Sequence, residues 1–126
     1  MESSGQRSNL AKLSELDVPL EESWQDIRDL DVYDVAGEQI GSVEDLYVDR
    51  EARRPRYLVV SAGGLLGVGK KHVLVPVEEV SRDVGEERVT IQVPKDKVLA
   101  SPEFDLDVGV PAADLQRAID AYYGHR

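Results

Sequence analysis

The stretch Gly63-Gly64-Leu65-Leu66-Gly67-Val68-Gly69-Lys70-Lys71 is the first place to look for chemistry, because Gly64 with Gly69-Lys70 keeps the G-x-x-x-x-G-K spacing of a phosphate-binding loop. That loop works by setting phosphate on the N–H groups of a helix N-terminus, with a Ser or Thr hydroxyl holding magnesium. Here the next residue is Lys71, and Val73-Leu74-Val75 beyond it alternates like a strand. The stretch therefore reads as a connection between two strands, and nucleotide is not expected on it. Other catalytic chemistry is as poorly supplied. The two histidines are His72 and His125, and there is no cysteine, which removes thiolate nucleophiles, disulfides and cysteine-held metals. No serine stands in a G-x-S-x-G elbow or an S-x-x-K pair. Neighbouring acids such as Asp29 with Asp31 and Asp105 with Asp107 are what 25 carboxylates in 126 residues produce without any acid–base role. Asp29, Asp31 and Asp34 also lack the register and closing glutamate of a calcium loop. The expectation is a protein that is not an enzyme, with no catalytic residues, no metal ligands and no cofactor.

Charge narrows the partners. Against those 25 acids stand 15 bases, a formal net charge of −10, which repels phosphate backbones and anionic membranes. Nucleic acid is not an expected partner. One local exception is the crowd of Arg50, Arg53, Arg54, Arg56, Lys70 and Lys71; solvated turns beside strands are the expected reading, with a patch for an acidic partner as the alternative. No apolar run reaches the ~18 residues of a membrane span, and Met1 to Asn9 lacks the apolar core of a signal peptide. Direct membrane insertion is not expected, and a cytoplasmic location is.

The elements that must position these residues are mostly strands, as the valine-rich, aromatic-poor composition suggests. Met1 to Asn9 is read as a mobile tail. Leu10, Leu13 and Leu16 recur at near-helical spacing and predict a short helix, capped by Ser8 or Asn9 and closed by Pro19. Trp24 is expected to pin the segment that follows onto the sheet. From Ile27 the period changes to two. Strands are predicted around Leu30 to Val32, at Ile40 to Asp49, Arg56 to Ala62, His72 to Val77 and Arg88 to Val93. Gly37 marks the first turn, Gly41 a bulge or close approach, and Pro76 a strand end. Val77 to Val80 and Lys95 to Ala100 are expected as short helical pieces, with Ser101 to Gly109 irregular. A last helix starts near Pro111 and runs to Tyr123, with Gly124 as its cap. Its apolar stripe is Leu115, Ala118, Ile119 and Tyr122. The organisation expected is a tail with a short helix over 1–24, a barrel domain over 25–100 and a helical extension over 101–126.

Several strands are apolar on both alternating faces. Tyr57-Leu58-Val59-Val60 has no polar side, and Leu74 stands between Val73 and Val75. A small barrel needs only one apolar face per strand, so the surplus at Leu58, Val60 and Leu74 must be covered, by the terminal helices in cis or by a second copy in trans. Leu65, Leu66 and Val68 raise the same question in the glycine-rich connection. They either plug one end of the barrel or form an apolar tip for a partner. The candidate contact residues are therefore Gly64, Leu65, Leu66, Gly67, Val68, Leu58, Val60, Leu74 and Tyr122.

These residues also carry a resemblance. Asp31-Val32-Tyr33-Asp34, Gly37-Glu38, Ile40-Gly41-Ser42-Val43 and Asp45-Leu46-Tyr47-Val48-Asp49 resemble the opening half of a PRC-barrel domain. Tyr57-Leu58-Val59-Val60, the glycine-rich connection and Val73-Leu74-Val75-Pro76 resemble its second half. The likeness runs from about Ile27 to Leu99. It implies a mainly β fold, a small, bent, antiparallel PRC-type barrel, here with short N-terminal and C-terminal helices. The family includes the cytoplasmic domain of the photosynthetic reaction centre H subunit and a domain of a ribosome maturation factor, where the barrel docks onto other macromolecules and has no catalytic residues of its own. Neither of those two roles is expected to transfer. The function expected is a non-enzymatic protein-interaction module, a possible homodimer. The alternative is a regulatory domain that binds a small ligand or a cation through its acidic clusters.

Overall fold

The structure is a computed structural model, and it describes residues 10–15, 27–63, 70–82 and 88–124. Seven strands form one curled sheet: β1 (Leu10–Lys12), β2 (Asp31–Tyr33), β3 (Gln39–Asp49), β4 (Arg54–Gly63), β5 (Lys70–Pro76), β6 (Val80–Arg82) and β7 (Arg88–Ile91). Their order is β5-β4-β3-β2-β7-β6, with β1 pairing β3 off that path. Two helices follow, α1 (Lys95–Leu99) and α2 (Ala113–Tyr122). The mainly β fold, the Val77–Glu79 turn and both of these helices follow the pattern read from the sequence, except that α2 starts at Ala113 after its N-cap Ala112 rather than at Pro111 and buries Ile119 alone of its expected stripe. Gly124 closes α2 at φ 86°.

The long pair β3–β4 is the spine. Its antiparallel register runs from Gly41↔Ala62 to Asp49↔Arg54, broken at Val43/Asp45 and at Tyr47/Val48. Each break sharpens the local twist and lets the sheet curl. Gly41 is required rather than convenient, since a Cβ there would lie 1.9 Å from the Ser61 carbonyl oxygen. Inside the curl, Val32, Val43, Leu46, Val48, Leu58, Val60, Val73, Val75, Val89 and Ile91 form one apolar cluster.

Two expectations need correction. One pair is parallel, since Asp31, Val32 and Tyr33 lie beside Arg88, Val89 and Thr90 in the same direction, so the sheet is not wholly antiparallel. Among the described residues the stretch read as a short N-terminal helix is not α-helical. Leu10–Lys12 is a strand and Leu13–Glu15 a single 3-10 turn. The reason is burial on two sides. Leu10 joins the cluster outside the sheet and Leu13 the one inside it, which a strand followed by a turn achieves and one helical stripe does not. Trp24 and Leu16 lie outside the described residues.

Candidate functional site

The outer face of the spine divides into an apolar half and a polar half. In the apolar half Tyr47 stands opposite Tyr57, and Val59 opposite Leu74. These four are covered in cis by Leu10, Phe104, Ile119 and Tyr123. Phe104 meets Tyr47 edge-on at 5.7 Å between ring centres, and its N–H donates to the His72 carbonyl at 2.8 Å. The neighbouring Glu103 bridges to Val73, so the segment adds to the edge of β5. Three phenols tie the C-terminal segment down. Tyr47 donates to the Gly109 carbonyl, Tyr57 to the Asp120 carboxylate at 2.8 Å and Tyr122 to the Lys97 carbonyl at 2.7 Å. Burial raises the Tyr57 and Tyr47 phenols well above the ordinary range, Asp120 adding to the effect on Tyr57 and Asp45 to that on Tyr47. Burial likewise pushes Tyr123 up to about 12, an effect that the nearby Ser101 hydroxyl partly offsets.

This geometry corrects the contact residues read from the sequence. Leu58 and Val60 point into the curl, and Leu74 lies under the C-terminal segment; all three are 0% exposed. None is available to a partner on this fold, and the cover that a second copy might have supplied is supplied in cis. Tyr122 is half-buried with its hydroxyl already bonded. Gly64, Leu65, Leu66, Gly67 and Val68 lie outside the described residues.

The polar half is a row running across four strands. Asp31 on β2 opposes Ser42 on β3, Ser42 opposes Ser61 on β4, and Ser61 opposes His72 on β5. His72 Nε2 is 4.0 Å from the Glu44 carboxylate. His72 also lines an open cleft of about 500 Å³ with Glu103, Phe104, Asp105, Leu106 and Asp107. Hydroxyl, imidazole and carboxylate thus come together, a set that sequence spacing did not reveal. The Ser61 hydroxyl, however, is buried with no hydrogen-bond partner, so it reaches neither His72 nor a substrate in the cleft and is not placed as a nucleophile. Among the described residues no three His, Asp or Glu side chains gather as a metal site.

The basic crowd separates. Arg50, Arg53, Arg54 and Arg56 are exposed around the β3–β4 turn. Lys71 sits at the other end of β4, opposite Ala62, and gives its ammonium to the Leu99 carbonyl at 2.5 Å. The turn is tightly built. The Asp49 carboxylate accepts from the N–H groups of Glu51 and Ala52 at 2.9 and 3.1 Å, the Asp49 carbonyl accepts from Arg53 at 2.7 Å, and Arg53 has φ 55°.

A curled sheet around an aliphatic core, with its second face sealed by a C-terminal extension, defines a barrel-type module. The chain belongs to the PRC-barrel domain family, whose model matches residues 19–98. The segment that covers the outer face lies beyond that match. No curated protein matches the chain. No helix among the described residues is long and apolar enough to cross a membrane.

Proposed function

We propose that this chain is a non-enzymatic protein-interaction module of the PRC-barrel type. The supporting observation is how the sheet holds residues 101–123. An extended piece pairs with the edge of β5 through Glu103 and Phe104, and the amphipathic helix α2 lays Ile119 on the outer face. Strand addition and helix docking are two of the recurring ways in which a domain recognises a protein segment, and here they join barrel and extension. With the apolar face closed, a partner meets the remaining polar and charged surface. The test is capture of a partner by the immobilised chain, confirmed by saturable binding of that partner once purified. A captured set identical to that of an unrelated acidic β-barrel counts against the reading.

A second reading rests on the cleft. Glu103, Asp105 and Asp107 rim a floor made by Phe104 and Leu106 beside His72, a lining that suits a small cationic ligand. Calorimetric titration with calcium, zinc and spermidine separates the two readings. Saturable binding that persists at physiological salt and is lost in Glu103→Gln/Asp107→Asn favours the ligand.

A further inference from the structure

We infer that the β3–β4 turn is the docking site for an acidic, Asp- and Glu-rich segment of a protein partner, held by Arg50, Arg53 and Arg56. The inference rests on the interaction reading above and names the surface and the chemistry of its partner. From Arg50 to Arg56 the chain carries four guanidinium groups against one carboxylate, Glu51. The other acid of the turn, Asp49, is occupied with the backbone N–H groups of Glu51 and Ala52. Neither Arg50 nor Arg53 makes an ion pair among the described residues, and both are exposed. Arg56, also exposed, holds its guanidinium 5.7 Å from the centre of the Tyr57 ring. Hydrogen bonds to the backbone hold the turn, so binding has to order the guanidinium side chains but not the backbone that carries them.

The conformation of Arg53 adds to this. At φ 55° an L-residue is strained where glycine is not, yet the position carries a long cation. The global charge decides between kinds of anion. Beyond a Debye length of about 8 Å at physiological ionic strength, a bound polyanion meets the rest of a chain of net charge −10. A nucleic acid or an anionic membrane extends over many such lengths, whereas a short acidic peptide segment of about 3.3–3.6 Å per residue spans few of them. Guanidinium forks pair with carboxylates in two-point contacts, which suits aspartate and glutamate side chains.

The experiment is fluorescence anisotropy with a labelled oligoglutamate peptide on the intact chain and on the double variant Arg50→Gln/Arg53→Gly. Glycine at 53 relieves the backbone strain, so the variant is expected to melt no lower than the parent. The expected result is saturable binding that weakens with salt, falls roughly tenfold or more in the double variant and is unchanged in Arg117→Gln, which removes a cation from α2. Equal binding by the parent and the double variant overturns the proposal, as does tighter binding of a single-stranded oligonucleotide than of the peptide. Self-association of the parent that the double variant abolishes also overturns it, since the turn would then bind a second copy. A natural partner captured equally by parent and double variant overturns the turn as its site and leaves the interaction reading intact.

Discussion

The Asp34 carboxylate accepts hydrogen bonds from three backbone N–H groups, those of Ala36, Glu38 and Lys95, at 2.9, 2.9 and 2.8 Å. Two of them shape the β2–β3 turn. The third is the first residue of α1, whose own N-cap, Pro94, offers no side-chain acceptor, so Asp34 caps that helix from across the fold. The hydrogen bonds from Glu38 and Lys95 hold its carboxyl below the ordinary 3.8, against a burial effect that raises it. In the unfolded chain the group takes up its proton at a higher pH than in the fold. Its stabilisation is therefore complete above about 3.8 and is lost as pH falls through the lower, folded value. Thermal melts of the parent and Asp34→Asn are expected to differ at neutral pH and to converge in acid, and curves that stay parallel would contradict this. Gly41 gives a sharper case. Because its absent Cβ would lie 1.9 Å from the Ser61 carbonyl oxygen, Gly41→Ala must push two paired strands apart. The expected loss is about 3 kcal/mol or more, read by urea denaturation.

Among the elements, the C-terminal helix shows what sequence reading reaches. Its span and its cap at Gly124 were legible because 3.6-residue spacing and a terminal glycine are local signals. Five of the seven strands were legible for the same reason, since alternation names residues that share a face, whereas β1 and β6, with three residues each, do not show it. Alternation does not say which face is inside when both are apolar. That is why Leu58 and Val60 read as surplus although they line the core, and why Tyr47 and Tyr57 were missed as anchors. Phe104, which covers Tyr47, is the chain's one phenylalanine and stands among acids in an irregular stretch, a signal without a direction. The parallel β2–β7 pair and the Glu44–His72 approach join residues far apart in sequence, and no local spacing encodes them. At this scale the weight carried by α2 is testable. Ile119 is its one buried residue, and Ile119→Ala is expected to cost about 2–5 kcal/mol. Tyr57→Phe keeps the ring and removes the bond to Asp120, for an expected cost of about 1–2 kcal/mol. Both are measured by chemical denaturation, and a larger loss for Tyr57→Phe than for Ile119→Ala would mean that polar ties, not burial, hold the helix.

For the molecule as a whole, the C-terminal segment decides whether this barrel ends in a greasy face or a wet one. Its phenols supply one control. Tyr123 ordinarily ionises near 10.0 and is raised to about 12. The fold keeps it neutral, so this contribution is intact below 10.0 and lost as pH rises through about 12. Tyrosinate absorbance followed together with amide exchange beyond Ser101 is expected to show the segment loosening across that window, and ionisation complete before any structural change would argue against it. The stronger control is substitution. Phe104→Ser/Ile119→Ser in the full chain removes two of the four side chains that cover Tyr47, Tyr57, Val59 and Leu74 without touching the inner cluster. An uncovered patch of that kind recruits whatever apolar surface is available, most simply another copy of itself. The double variant is expected to keep its β-type circular dichroism and its amide protection in β3 and β4, to lose protection beyond Ser101, and to sediment as concentration-dependent assemblies. If it stays a monomer with the segment unprotected, the outer face does not need its cover. The extension would then be an accessory to the barrel rather than the part that makes it self-sufficient.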